Sequence, residues 1–450
     1  MDVVFLSRIQ FGFNIAFHYL FPPLSIGLSL MIVIMEGMYV VTKKEAYKTM
    51  TRFWVNIFAL SFAMGVATGI VQVFAFGNNW GRYSKFVGDV FGSALAAEGI
   101  FAFFLEAGFL GLMLFGWDKV SKGIHYLSTI LVALGAHFSA IWICIANSWM
   151  QTPAGFKILG EGKEARAVVT HFWEMIFNPS SVVRVTHVLI GCWLTGVFIV
   201  ISVAAYYMLR KRHQEFARVT MKLGLIVGAI MVILQLLSAD ASAQVVAKHQ
   251  PEKLAAMEGV FVTKPHTPMA VVGYPDMETK EVKGLEIPSL LSWFVYRNPA
   301  TAVTGLDKFH PSDWPNVPLV FASYHIMIYC WGLMVLAVIL GAFFYWRKQL
   351  PMMKTVLVFL MSSVLFPYIA NQVGWYTAEF GRQPWIVYHL LRTSQGVSHS
   401  INAAQVLGSL IMFAVIYAFV LALFIFLLNW KIQAGPGHKE QAMDEYQLKV

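Results

Sequence analysis

The chain has 450 residues, 58% of them hydrophobic and only 13% charged, with a mean hydropathy of +0.63. This is too apolar for a water-soluble domain and indicates a polytopic membrane protein. The formal net charge of +9 falls largely in short connections between apolar runs, which argues against a nucleic-acid partner.

A helix that crosses a bilayer needs roughly 20 mostly apolar residues. Nine such runs can be placed, at 9–40, 51–76, 91–117, 124–146, 183–209, 218–238, 318–346, 353–371 and 400–429. The expected fold is an all-α integral membrane bundle of about nine transmembrane helices, forming one polytopic domain over 1–450. The first run carries Arg8 and His18, the latter within AFHYLFPPL, and is too long for a cleavable signal. Lys43, Lys44, Lys48 and Arg52 follow it. The third run holds Glu98 and Glu106, Lys119 and Lys122 come after it, and His137 lies in the fourth. The fifth opens with RVTHVLIG, which places His187 at its outer end, and closes on Arg210, Lys211 and Arg212.

A long polar insert, 239–317, comes next and contains Asp240, His249, Lys253, Glu258 and HPSDWPNVP. A loop of this length is uncommon unless it is functional or disordered. Within it PEKLAAMEG predicts a short helix with Lys253 and Glu258 on broadly neighbouring faces. That helix is either a surface element or a lid over a substrate site. The seventh run contains SYHIMIY, with His325 and Met327, and is followed by Arg347, Lys348 and Lys354. After the eighth stands GWYTAEFGRQPW, with Trp375, Glu379 and Arg382, and then Arg392.

Lys and Arg mark the cytoplasmic connections. The basic connections alternate along the chain and share one side with the tail after Trp430, so the N-terminus is expected outside and the C-terminus in the cytoplasm. The segments 77–90, 147–182, 239–317 and 372–399 would face outward. Cys144, Cys192 and Cys330 all fall within apolar runs without CxxC spacing, so neither a disulfide frame nor a zinc site is indicated.

Ionisable groups at membrane depth cost several kcal/mol and therefore mark candidate functional positions. On a continuous helix Glu98 and Glu106 would be about 80° apart in azimuth and about 12 Å apart along the axis, a spacing suited to a proton relay. His18, His187, Met327 and Glu379 share the outer half of the expected bundle. Histidine, methionine and carboxylate there, without cysteine clusters, suit haem iron better than zinc or iron–sulfur. Arg8, Arg382 and Arg392 could pair with haem propionates or snorkel to headgroups. A proton-coupled transporter using Glu98, Glu106 and the histidines is the competing reading, although no internal repeat is evident.

GWYTAEFGRQPW closely resembles the signature of subunit I of cytochrome bd-type quinol oxidases. LSRIQFGFNIAFHYLFPPL, FGSALAAEGIFAFFLEAGF, AIWICIANSWMQTPAG, THVLIGCWLTG, KLAAME and SYHIM occur in that family's order over nearly the whole chain. The resemblance implies a haem-bearing terminal oxidase that oxidises membrane quinol at the outer face and reduces dioxygen to water, building proton motive force without a pump. It implies His187 and Met327 as ligands of a low-spin haem b. It implies His18 and Glu379 as ligands in a pair made of high-spin haem b and haem d, or a third haem b, with the distribution between the two left open. Glu98 and Glu106 match carboxylates near that pair, with roles in haem ligation, proton delivery or charge compensation. Trp375 and Arg382 match haem-contacting positions, and Lys253 and Glu258 match a pair implicated in quinol oxidation in the outer loop.

A second integral subunit, single-span peptides and a bacterial or archaeal cytoplasmic membrane are implied too. A bd-like enzyme with a non-quinol donor is the alternative within the class. Two departures stand out. His325 takes a position where many relatives have arginine, with consequences for the low-spin haem or its propionates, and the outer loop is of the short type.

Overall fold

The computed structural model describes residues 2–99, 104–398 and 400–437. Helix α1 (Val3–His18) starts at Asp2, whose carboxylate accepts from the backbone N–H groups of Val4 and Phe5. It stops before Pro22 and Pro23, which have no N–H to continue the helical ladder. The same prolines fill the first turn of α2 (Pro22–Thr42), where that N–H would be unsatisfied in any case. His18 is thereby left as the last residue of α1.

The next elements are α3 (Glu45–Asn78), α4 (Gly81–Ala97), α5 (Phe104–Phe115) and α6 (Lys122–Gln151), then a small hairpin, β1 (Phe156–Leu159) with β2 (Arg166–Val169), and α7 (Phe172–Ile176). Helices α8 (Ser181–Leu209) and α9 (Gln214–His249) lead into α10 (Pro251–Glu258), the antiparallel pair β3 (Met269–Asp276) and β4 (Glu281–Ile287), and α11 (Leu290–Tyr296). The chain continues through α12 (Val317–Trp346), α13 (Lys354–Ser362), α14 (Leu365–Phe380), the short strands β5 (Trp385–Val387) and β6 (Leu391–Arg392), and α15 (Ala403–Ala434).

Among the described residues eight helical stretches are long and apolar enough to cross a membrane: α1 with α2, α3, α6, α8, α9, α12, α13 with α14, and α15. They match eight of the nine expected runs. The remaining one, 91–117, spans the end of α4 and the shorter apolar helix α5, with residues 100–103 outside those described. Two boundaries differ most from the hydropathy reading. Helix α9 continues to His249, eleven residues beyond 238, and α14 carries on to Phe380, so Glu379 sits in its last turn. Hydropathy marks where a chain is apolar, and a helix persists through polar residues that face a polar interior.

Helix α8 is the most buried and packs on α2, α6, α9, α13 and α14. Its closest approach is to α2, where a Cβ on Gly27 would lie 2.1 Å from the Cys192 carbonyl oxygen and one on Gly196 would lie 2.1 Å from the Gly27 carbonyl carbon. The basic connections gather at one end of the bundle. Arg52 and Lys48 pair with Asp118 at 2.9 and 3.5 Å, Lys122 lies over Tyr39, Phe53 packs on Phe216, and Arg212 donates to the Gln433 carbonyl at 2.9 Å. Helix α10 and the segment around β5 and β6 close the opposite end.

Candidate functional site

A cavity of about 1920 Å³ occupies that opposite end and runs between α1, α3, α6, α8, α9, α12 and α14. Small-molecule sites usually measure about 300–1,000 Å³, so this space is shaped for more than one large ligand. Arg8, His18, Glu98, Glu106, His187, Lys253, Met327, Trp375, Glu379 and Arg382 all line it. Residues scattered from 8 to 382 are thus brought to one volume.

Helix α1 delivers His18 because it ends there. The Thr68 hydroxyl donates its only hydrogen to the Met64 carbonyl at 2.8 Å, so its oxygen accepts from His18 Nδ1–H at 2.8 Å. That leaves the lone pair on Nε2, the form in which imidazole binds a metal. Gly69 leaves room for the ring, since a Cβ there would sit 3.3 Å from His18 Cε1.

His187 Nδ1 lies 3.0 Å from Ser238 Oγ, which donates to the Gln235 carbonyl at 2.9 Å. The Gln235 side-chain amide nitrogen lies 3.1 Å from both ring nitrogens, and Gln235 Oε1 is buried without a partner. Buried polar groups are ordinarily satisfied, and this oxygen is not. Met327 also borders the cavity, its sulfur facing Gly374, where a Cβ would come within 2.9 Å.

Glu379, in the last turn of α14, pairs with Arg382, which donates from Nη2 to Oε2 and from Nη1 to Oε1 at 3.3 Å. A cation just past the helix suits the negative end of its dipole. Asn147 Nδ2 also donates to Glu379 at 2.9 Å. Arg184 donates to Asn147 Oδ1, and to Ser148 Oγ at 3.2 Å, so two arginines flank the carboxylate.

Gln151 joins this cluster to α10. Its amide donates to the Ala378 carbonyl at 3.2 Å, and its Oε1 accepts from Lys253 Nζ and from Gln250 at 3.0 Å. Helix α10 is buried along nearly its whole length, unlike an exposed surface helix. Burial, with Arg184 and Arg382 nearby, holds the Lys253 ammonium well below its ordinary range. Glu258 faces a different way, onto Tyr324 of α12, and burial pushes its carboxyl up to about 7. Five helical positions turn the two residues well apart, so they are not on neighbouring faces, and Glu258 does not line the cavity.

Glu98 caps the end of α4 and accepts from Ser139 Oγ at 2.5 Å, whereas Glu106 is buried in the first turn of α5. Residues 100–103, between them, lie outside those described, and the expected spacing along one helix falls partly on them. Other candidates fall elsewhere. His137 is satisfied by the Ala133 carbonyl and Trp193 Nε1 at 2.7 and 2.8 Å. Arg392 pairs with Asp313 over Trp385. His325 turns away from the cavity towards Phe321 and Ala270. The three cysteines are free, and the described residues contain no metal-binding group of His, Cys, Asp and Glu.

Sequence reasoning missed Arg184, Asn147, Gln151, Gln235 and Ser238. Arg184, three residues before His187 in RVTHVLIG, is itself an ionisable group at membrane depth and could have been found by that rule. The neutral side chains carry no comparable signal.

The profile of the cytochrome bd terminal oxidase subunit I family matches residues 6–436. The chain belongs to that family. It is 39% identical to cytochrome bd ubiquinol oxidase subunit 1 of Bacillus subtilis (strain 168), over 97% of this chain and 95% of that one. It is 34% identical to cytochrome bd-II ubiquinol oxidase subunit 1 of Escherichia coli (strain K12), over 97% of each. The solved bd oxidase of Geobacillus thermodenitrificans superposes with a TM-score of 0.87 at 29% identity, over 97% of this chain and 99% of that one. As a member of the cytochrome bd family the protein is a multi-pass membrane oxidoreductase, a terminal quinol oxidase that uses haem. The transporter reading is thereby set aside.

Proposed function

We propose that this chain is the catalytic subunit of a bacterial terminal oxidase in the cytoplasmic membrane, with the described cavity holding its haem groups near the outer face. The observation that carries the reading is that one cavity gathers two histidines, a methionine sulfur and a carboxylate. His187 and Met327 would hold a low-spin haem b, while His18 and Glu379 would serve a pair made of high-spin haem b with haem d or a third haem b. When bound, haem supplies one-electron transfer and, at an iron with an open position, dioxygen reduction. Arg8, Trp375 and Arg382, which also line the cavity, would help to hold those groups, the arginines by charge-assisted hydrogen bonds to propionates.

Lys253, which lines the cavity, would bind membrane quinol through α10 in the outer loop, 239–317, with Glu258 on another face of that helix as a second proton acceptor. A lysine with a depressed pKa and a glutamic acid titrating near neutrality can each take a hydroxyl proton. Glu98 and Glu106, which line the same cavity, would hold protons destined for water. The clustering of basic connections at the other end supports a cytoplasmic C-terminus and an outer N-terminus. With that orientation quinol protons leave outside and protons for water enter from inside, so charge separates without a pump. A second integral subunit, with or without single-span peptides, would complete the complex.

The test is a reduced-minus-oxidised spectrum of the purified complex together with quinol-driven oxygen uptake. Haem bands and uptake are expected. Haem bands without uptake would move the reading to a non-quinol donor, and a preparation without haem, after reconstitution with haem, would overturn it.

A further inference from the structure

Next to Lys253 stands Glu252, a residue to which neither motif nor mechanism so far gives a role. It is buried, with 4% of its side chain exposed, and its Oε2 has no hydrogen-bond partner. Oε1 accepts from the Tyr388 hydroxyl and lies 3.4 Å from His389 Nε2. The His389 ring stacks on Tyr388 with centroids 4.0 Å apart, yet 59% of its side chain is exposed. A buried carboxylate with one open oxygen is therefore joined through its other oxygen to a solvent-facing imidazole.

Burying an unpaired carboxylate oxygen is costly, and nothing in the packing of α10 requires one. Leu254, Ala255 and Ala256 already seat the helix by apolar contact. The charged groups around Glu252 are Lys253 on its own helix and His389 on the opposing turn. Lys253 in turn faces Arg184 on α8 and Glu379 and Arg382 at the end of α14. Tyr388 is the remaining titratable neighbour.

We propose that Glu252, Tyr388 and His389 form the outward proton exit of the quinol site, with Glu252 as the carrier, His389 as the surface acceptor and Tyr388 as a positioning residue. The proposal rests on the reading of α10 as a quinol-binding element. Quinol oxidation breaks two O–H bonds, sends two electrons inward towards dioxygen and leaves two protons to be removed. Glu252 takes a proton on Oε2 from the cavity side, where Lys253 lies. Rotation of the carboxyl presents that proton to His389 Nε2, and bulk water then removes it, returning both groups to their starting charge. The Tyr388 hydroxyl holds the carboxylate in place, and its ring holds the imidazole.

The experiment measures quinol-driven oxygen uptake by the intact oxidase complex against pH, for wild type, Glu252→Gln and His389→Ala. Glutamine keeps the acceptor for Tyr388 and so preserves the packing, but it cannot carry a proton. Glu252→Gln is expected to lower kcat by about tenfold or more, within the range of a lost proton-transfer group, to flatten the pH profile, and to leave KM and the haem spectrum unchanged. His389→Ala is expected to lose rate that added imidazole restores. An active wild type with an unaltered Glu252→Gln profile, or a His389→Ala loss that imidazole leaves untouched, overturns the exit and leaves the quinol reading standing. A wild-type complex with haem bands but no quinol-driven uptake overturns the quinol reading, and the exit falls with it.

Discussion

Glu258 and His325 show how two residues of the outer loop and its neighbour α12 are set by what surrounds them. The folded Glu258 carboxyl keeps its proton up to about 7, against an ordinary 4.5. The native state therefore binds more protons than the unfolded chain between those values, and stability falls as pH rises across that window. Glu258→Gln is expected to remove this slope, on the order of 3 kcal/mol, as measured by thermal unfolding between pH 4.5 and 7.5. His325 points Nδ1 at the Phe321 carbonyl at 2.9 Å and Nε2 at the Ala270 carbonyl at 3.1 Å. The Ala270 contact ties β3 to α12. His325→Phe removes it at a cost of about 1–3 kcal/mol, and faster proteolysis within 269–287 is the expected sign. His187→Ala or Met327→Leu should abolish or shift the low-spin haem b band. Glu379→Ala should perturb the haem pair and largely spare that band.

Among the helices, glycines decide how closely each approaches the site. Gly27 and Gly196 let α2 and α8 meet backbone to backbone, and an added methyl has no side chain to push aside. Overpacking usually costs about 1–3 kcal/mol. Gly196→Ala should reach or exceed the top of that range and show as a loss of folded protein on size-exclusion chromatography. Gly374→Ala is a gentler test, because the atom it meets is the flexible end of Met327. The expected outcome is a folded protein with an altered low-spin haem spectrum and unchanged haem-pair bands. The breaks matter as much as the contacts. The proline pair halts α1 at His18, while Pro251 opens α10 and Gly259, with φ +69°, closes it, so that the short helix can turn back over the cavity. Proline and glycine punctuation of this kind is legible in AFHYLFPPL and PEKLAAMEG themselves, because each acts on its own stretch of backbone.

For the molecule as a whole, the main feature is a large cavity among helices that otherwise pack closely around α8. Ligands that bind only the folded state stabilise it by mass action, so depleting haem should lower the unfolding temperature of the complex and reconstitution should restore it. The membrane bundle, the positions of nearly all its spans, the basic face and the ionisable residues placed at depth can all be read from the amino-acid order. They follow from local composition and from the cost of charge in hydrocarbon, which act on each segment separately. It took the packed bundle to show that residues from 8 to 382 share one cavity. Packing likewise turns Glu258 to Tyr324 and makes Gln151 the link between α10 and Glu379. Such pairings depend on long-range contacts in which neutral amides and hydroxyls choose partners 50 to more than 200 positions away, and no local pattern in a single chain records that choice.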